Sequence, residues 1–189
     1  MNEELAAYIT RLCELSGHTT RIDDDVILVK PGEGYTDVYE AFTMVKEYYA
    51  YGHVERYSFG GARFSSVSLE IFKKFAIMHF AADIRAAHQL TPLEVPPMTD
   101  VHPSFSIEFL EPISYFLTSK ATPIPTTYTN VSPKALVPLS YLMGTSSEDL
   151  LSLVLEPSGD GYVALFEGSP SSTPTGSKLQ NNSNHLSIL

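Results

Sequence analysis

Apolar residues recur at helical spacing near the start of the chain and again in its middle. The first pattern predicts a helix over residues 3–16, with Gly17 as its C-terminal cap. The second predicts a long helix that begins after an N-terminal cap at Ser65 or Ser66 and ends near Ala87. Its apolar stripe comprises Leu69, Phe72, Ala76, Phe80 and Ile84. We expect this helix to form the centre of the fold.

The segment between the two helices fits β-strands. Residues 18–30 are predicted to form two short strands that fold back at Asp23–Asp25. Residues 38–59 fit two aromatic-rich strands that turn near Tyr51-Gly52, although the Ala, Met, Lys and Glu in this segment also favour a partly helical structure. Gly60-Gly61 is expected to end the strand pattern before the long helix begins.

After the long helix, prolines mark a connection and a second group of elements follows. Residues 104–118 are rich in β-branched and aromatic side chains and predict two strands interrupted at Pro112. Ser132-Pro133 is a suitable helix start, because proline is tolerated in the first turn, and Gly144 is expected to stop that helix.

The last predicted helix begins at a possible capping box, formed by Thr145 and Glu148, and ends at Leu155. Together these elements predict the α+β class: a mixed, mostly antiparallel sheet packed against a long central helix, with further helices in the N- and C-terminal parts. We expect residues 1–167 to form a single globular domain. Residues 168–189 lose the apolar period and are expected to form a disordered tail.

Charge limits the classes of partner. The 189-residue chain carries 22 acidic and 12 basic side chains, a formal net charge of -10, which repels nucleic acid and anionic membranes and favours a basic protein partner. It has one cysteine, no segment with the length of a membrane span, and no N-terminal signal pattern. These features predict a cytoplasmic protein.

Candidate chemistry centres on the polar residues of the long helix. His79 and Asp83 lie four positions apart, a spacing that allows two side chains to hold one metal, but the pattern supplies no third ligand. Arg85 is more simply explained as an ion-pair partner near the helix C-terminus. Cys13 lies on the apolar face of the first helix, and neither a nucleophile motif nor a phosphate-binding loop occurs. We therefore expect no enzyme activity, cofactor or metal. A hydrolase or metal enzyme that uses His79 and Asp83 is kept as a less favoured hypothesis.

Tyrosines and acidic residues are concentrated between residues 33 and 55. Tyrosine suits protein interfaces because it buries a large area, loses little rotamer entropy and keeps a polar tip. Gly32 and Gly34 would give the loop before Val38 the freedom to protrude. The predicted partner-binding residues are Glu33, Tyr35, Asp37, Tyr48 and Tyr51. The competing interpretation assigns these aromatics alternately to core and surface, and a second possible face is the proline-rich connection around Thr122 to Tyr128.

Four segments also carry a resemblance to a known family. They are "LCELSGH" at the end of the first helix, "ERYSFGGARF" before the long helix, "FAADIRAAHQLTPLEVP" at its end and "LVPLSYLMGTSSEDLLSLVLEP" near the C-terminus. In this order they resemble the actinobacterial immunity proteins, a group that includes the antidote of tuberculosis necrotizing toxin. The resemblance covers roughly residues 3 to 166, and it supplies no interface residues that could be transferred.

The resemblance implies a cytosolic α+β protein that binds a cognate secreted toxin one to one and blocks its active site, in the named case the site of an enzyme that hydrolyses NAD. The alternative is an adaptor or chaperone that escorts a secreted effector without inhibiting it.

Overall fold

The computed structural model describes residues 2–30, 38–56, 58–110, 114–121, 125–129 and 133–167, and these ranges contain eight strands and five α-helices. The strands are β1 (Thr19–Asp23), β2 (Val26–Lys30), β3 (Val38–Val45), β4 (Tyr48–Glu55), β5 (Ser58–Ser66), β6 (Phe105–Leu110), β7 (Ser114–Ser119) and β8 (Pro125–Thr129). The helices are α1 (Glu3–Ser16), α2 (Leu69–Ala87), α3 (Leu136–Leu142), α4 (Ser147–Leu155) and α5 (Asp160–Ala164). A short 3-10 turn at Pro133–Ala135 precedes α3.

The strands form one antiparallel sheet in the order β1-β2-β3-β4-β5-β8-β7-β6. Within the described residues, the main hydrophobic cluster takes its sheet residues from a single face, which carries Ile27, Phe42, Phe64 and Leu117. The helices α1, α2 and α3 contact the sheet, and α4 packs against α2. The predicted α+β class, an antiparallel sheet against a long central helix, is confirmed.

Helix α1 confirms the prediction for residues 3–16. The side chain of Asn2 accepts a hydrogen bond from the backbone N–H of Leu5 at 2.9 Å and so caps the first turn. Gly17 ends the helix in the left-handed conformation, with φ of 73°, where a residue without a side chain fits best. The apolar side of α1, including the buried Cys13, packs against α2.

Helix α2 is central because its aromatic side chains meet the rings of the sheet. Phe75 stacks on Phe64 with ring centroids 3.9 Å apart, and Phe42 contacts both Phe72 and Phe80 within about 6 Å. The expected cap at Ser65 or Ser66 was wrong by two or three residues. Both serines belong to the end of β5, and Ser68 accepts the hydrogen bond that starts the helix.

The strands between residues 38 and 66 differ from the prediction in their turns. β3 and β4 are joined at Lys46 and Glu47, not at Tyr51-Gly52. Lys46 adopts a positive φ of 56°, as a two-residue hairpin requires, although glycine, asparagine and aspartate are the usual residues there. Gly60-Gly61 also does not end the pattern, since both glycines lie inside β5.

Gly52 has a packing role inside β4. A side chain at this position would approach the ring of Phe59 to 2.7 Å and the carbonyl oxygen of Gly61 to 2.5 Å. The pairing register between β4 and β5 is irregular on both sides of Gly52. The glycine therefore permits close approach of neighbouring strands and does not make a turn.

The C-terminal part contains elements that the sequence did not predict. β8 pairs with both β5 and β7, and α5 follows α4. The predicted helix through Leu155 is present as α4, but its cap is Ser146, whose hydroxyl accepts from the N–H of Asp149, in place of Thr145. Pro112, Ser132, Thr122 and the predicted tail at 168–189 lie outside the described residues, so the domain and tail assignments stay predictions.

Arg85 joins the end of α2 to the segment that follows α4. Its side chain is only 1% exposed, and its guanidinium donates to the carbonyl oxygens of Thr91, Val154, Glu156 and Pro157. The expected ion pair was therefore wrong, because backbone carbonyls take the place of a carboxylate. The bonds to Val154, Glu156 and Pro157 satisfy carbonyl groups at and just after the end of α4, where the helix leaves carbonyls without partners.

In the described part of the chain, no helix combines the length and apolar composition that a membrane crossing needs.

The aromatic packing of α2 predicts a large cost for truncating one of its rings. Phe80 is 1% exposed, and Phe80→Ala should lower the free energy of unfolding by about 3 to 5 kcal/mol through lost burial and a residual cavity. Denaturant titration of both proteins measures this difference. A loss below about 1 kcal/mol would contradict the central position of this ring.

The carbonyl cluster around Arg85 predicts that the hydrogen-bond donors of this side chain contribute more to stability than its volume does. Arg85→Met keeps much of the volume but leaves several buried carbonyls unsatisfied, each at a cost of roughly 1 to 3 kcal/mol. Arg85→Lys retains some donors and should be less destabilising. The control is Arg21→Met, which changes an exposed side chain beside Asp23 and should alter stability by no more than about 1 kcal/mol. Equal stabilities of the Met and Lys variants at position 85 would contradict this account.

Candidate functional site

The predicted partner-binding residues do not form one patch. Glu33, Tyr35 and Asp37 lie outside the described residues. Tyr48 and Tyr51 lie three positions apart on β4, so their side chains point to opposite faces of the sheet. Tyr51 packs among core rings and is 7% exposed, which leaves little of it for a partner to contact. The structure thus gives Tyr51 a packing role, and its assignment to the partner face stays a prediction.

Tyr48 belongs to the face of the sheet that points away from the helices, which we call the open face. The middle of this face in the central strands consists of small or short side chains, of which Ala41, Ala50 and Ser65 are buried. Larger aromatic side chains stand at its two ends. The residues that define this face are Tyr39, Ala41, Tyr48, Ala50, Gly52 and Phe59.

The aromatic ends of the open face are set by strand register. Tyr39, Val54 and Phe59 form one cross-strand row, whereas Tyr48 pairs with Val45 at the other end of the same strands. Tyr39 and Val45 are six residues apart on β3, or about 20 Å at the usual rise of a strand. The described neighbours of residues 31–37 are Lys30 and Val38, which lie at the end that carries Tyr39.

The guanidinium of Arg21 lies over the ring of Tyr39, 5.8 Å from its centroid. A tyrosine on the open face thus already binds a cation of the same chain. Both side chains lie toward the β1 edge, where Arg21 also pairs with Asp23 at 3.2 Å. The open face therefore combines aromatic surface with exposed charge at its edge.

A polar cluster lies on the opposite, helix-facing side, near the same end of the sheet. One carboxylate oxygen of Glu40 accepts from the hydroxyl of Tyr51 at 3.2 Å, and the other lies 3.0 Å from Nε2 of His79. Nε2 of His53 is 3.4 Å from the Tyr51 hydroxyl. The ring of His79 also contacts those of Phe75 and Phe80. The cluster thus joins β3 and β4 to α2 through mutually satisfied groups.

The environment shifts the pKa values of this cluster in defined directions. Burial acts to raise the pKa of the Glu40 carboxyl, but the hydrogen bond and charge of His79, with the Tyr51 hydroxyl, outweigh burial and lower it. Burial and the nearby Arg63 lower the pKa of His53. Burial and the Glu40 carboxylate raise the pKa of the Tyr51 hydroxyl. Glu40 is thus held as the anion and Tyr51 as the neutral donor.

His79 and Asp83 do not act as a pair. His79 contacts the carboxylate of Glu40. The carboxylate of Asp83 instead lies 3.1 Å from Nε2 of His18, near the C-terminal end of α1. No group of three or more potential metal ligands occurs among the residues that the structure describes. Cys13 is fully buried, and burial raises the pKa of its thiol to about 12, so the thiol is protonated at neutral pH.

Sequence reasoning missed both Glu40 and the open face. Glu40 could have been found as a lone acidic residue within an apolar, aromatic strand. The open face could have been found from the small residues that alternate with aromatics in β4, such as Ala50 between Tyr49 and Tyr51. That alternation becomes informative only when the turn at Lys46 is known, because the turn fixes which residues share a face.

The polar cluster predicts that acid weakens the fold. Folded Glu40 and His53 have pKa values below their unfolded values of about 4.5 and 6.5, so the unfolded chain binds more protons and stability falls as pH decreases through these two windows. Glu40→Gln should flatten the decline below about pH 4.5, and His53→Asn should flatten the decline below about pH 6.5. Denaturant titrations from pH 7 to pH 3 measure both slopes. An unchanged acid slope in Glu40→Gln would contradict the assignment.

Comparison with known proteins agrees with this fold. The family model described as Immunity protein 61 matches residues 12–162. Among solved structures, Rv3902c from M. tuberculosis is similar in fold, with a TM-score of 0.64 and 19% sequence identity over 84% of this chain and 91% of that chain. No curated protein matches. Because the family model covers most of the chain, the protein belongs to the Immunity protein 61 family.

Proposed function

We propose that this protein neutralises a cognate secreted toxin in the cytosol of the cell that produces it, by binding the toxin one to one and covering its active site. Membership of an immunity-protein family is the observation that carries this proposal. The family assignment supports an immunity role. Occlusion is the simplest mechanism for a chain in which Glu40, Tyr51 and Arg85 already use their polar groups within the fold.

The open face is the surface that we propose for the toxin. Its residues lie outside the main hydrophobic cluster, and aromatic side chains stand at both of its ends. A partner patch of standard size, about 800 Å² on each side, is wide enough to span the roughly 20 Å between Tyr39 and Tyr48. Segment 31–37, with Glu33, Tyr35 and Asp37, continues from the Tyr39 end and belongs to the same proposal.

The charge of the chain supports a basic toxin. With a formal net charge of -10, the protein attracts a cationic partner over about one Debye length, roughly 8 Å at physiological salt. Such attraction mainly raises the association rate, whereas buried aromatic contacts slow dissociation. We therefore propose that the acidic residues raise the association rate and that the tyrosines lower the dissociation rate.

The chemistry of the toxin is a further part of the proposal. The sequence resemblance to the group that includes the antidote of tuberculosis necrotizing toxin supports an NAD-hydrolysing enzyme as the target. An occluding protein would then compete with the entry of NAD into the active site. It would not need to alter the catalytic residues themselves.

Co-expression tests the function. The toxin encoded beside this gene should stop growth and deplete cellular NAD when expressed alone, and this protein should restore both when expressed with it. The control is the same toxin with an inactivated catalytic centre, which should still form the complex. Complex formation without rescue would indicate an adaptor or chaperone for a secreted effector. If the toxin leaves cellular NAD unchanged and this protein still rescues growth, the proposed NAD hydrolysis is rejected but the immunity role is not.

The open face predicts a specific loss of affinity. Tyr48→Ala should raise the dissociation rate and weaken binding roughly thirtyfold, the effect of losing about 2 kcal/mol at an interface anchor. The matched control is Tyr115→Ala, since Tyr115 is a half-buried strand tyrosine on the helix-facing side, beside Phe109. Surface-plasmon kinetics with the neighbouring toxin measure both variants. Equal affinities of Tyr48→Ala and wild type would place the interface elsewhere.

A further inference from the structure

The two edge strands of the sheet differ in how well they are protected. β1 carries an Arg21–Asp23 ion pair and is almost fully exposed along its length. β6, at the other edge, contains one charged residue, Glu108, and an exposed phenylalanine, Phe109, which is 56% exposed. In the described part of the chain, β7 is the only strand paired with β6. A long apolar edge with few charges is a template for another strand.

The direction of the backbone groups on β6 follows from one hydrogen bond. The N–H of Lys120 donates to the carbonyl of Ser104 at 2.9 Å, which makes Ser104 and Lys120 a hydrogen-bonded pair at the start of the β6–β7 ladder. In an antiparallel ladder such pairs occur at every second residue. The N–H and C=O groups of Ser106 and Glu108 therefore point to β7, and those of Ile107 and Phe109 point to the free edge.

The sequence of β6 is complementary to itself when two copies run antiparallel. With Ile107 opposite Ile107 of a second copy, Phe109 lies opposite Phe105, and Glu108 lies opposite Ser106. No like charges face each other, and two cross-strand aromatic pairs form on the side that carries Ile107. Residues 105–120 carry two acids, Glu108 and Glu111, and one base, Lys120, so the β6–β7 hairpin has a net charge of -1.

We infer that β6 is a docking edge for a second copy of this chain, which pairs with it about a two-fold axis through Ile107. The outward N–H and C=O groups of Ile107 bond to those of its counterpart, and the N–H of Phe109 bonds to the carbonyl of the opposite Phe105. The N–H of Phe105 takes no part, because it already donates to the carbonyl of His102 at 2.9 Å. The sheets of the two copies then form one continuous antiparallel sheet.

This dimer buries little surface, so it is a weak association that appears at high protein concentration. It leaves the open face of β3–β5 uncovered, because β6 lies at the far edge of the same sheet. Self-association through β6 and the proposed binding of a toxin are thus independent properties.

Disulfide trapping tests the register. In Ile107→Cys, the two cysteines would face each other with Cα atoms about 5.5 Å apart, within the range of a disulfide. In Phe109→Cys, the two cysteines would be offset by four residues, or roughly 13 Å along the strands. Mild oxidation should therefore crosslink Ile107→Cys far faster than Phe109→Cys, although Phe109 is the more exposed position. Cys13 is buried and should not compete. Equal crosslinking of the two variants, or none, would overturn the inference.

Sedimentation equilibrium tests self-association through β6 without introducing cysteines. The mass of the wild-type protein should rise with concentration toward that of a dimer, and Phe109→Lys should remove this rise by placing a charge on the edge. Ile22→Lys is the matched control, because Ile22 is 49% exposed on the opposite edge strand and should leave association unchanged. A wild-type protein that stays monomeric, or equal loss in both variants, would overturn the inference.

Discussion

The packing of α2 against the central strands is the interaction on which the rest of the structure depends. Phe72, Phe75 and Phe80 on the helix meet Phe42 and Phe64 on the sheet. These rings bury large areas and fix the register of the helix over β3 to β5. Helices α1, α3 and α4 pack against α2, and the main hydrophobic cluster uses one face of the sheet. The opposite face is the surface that we propose for the partner.

The polar residues of α2 support this packing. Arg85 fixes the segment after α4 through backbone carbonyls, and His79 closes a hydrogen-bonded cluster with Glu40. A buried cation among carbonyls avoids the desolvation of a partner carboxylate but makes the fold sensitive to loss of any donor. These residues therefore stabilise the scaffold that presents the open face.

The sequence predicted the elements whose signals are local. Helix α1 has its cap and terminal glycine in the expected places, and the apolar stripe of α2 predicts the buried side of that helix. Elements that depend on distant contacts were harder to predict. Lys46 forms a turn without a turn-type residue because the strands on either side pair well, and Gly52 faces the ring of Phe59, which is a tertiary contact.

The faces of the candidate site could not be assigned from the sequence. An excess of tyrosine and acid drew attention to residues 33–55, but the predicted turn at Tyr51-Gly52 is misplaced. Without the correct turn the two faces of β4 cannot be told apart, and Tyr48 and Tyr51 were grouped although they point to opposite faces. The partners of Arg85 were also beyond prediction, because three of the four backbone carbonyls that it binds lie about 70 residues further along the chain. Charge and family resemblance supplied the functional hypothesis that geometry alone does not.

The most direct measurement is a titration of the purified toxin's catalytic activity with this protein at a toxin concentration well above the dissociation constant. The account predicts that activity falls linearly and reaches zero at one equivalent, because each bound copy closes one active site. A stable one-to-one complex that keeps full activity toward its substrate would contradict it.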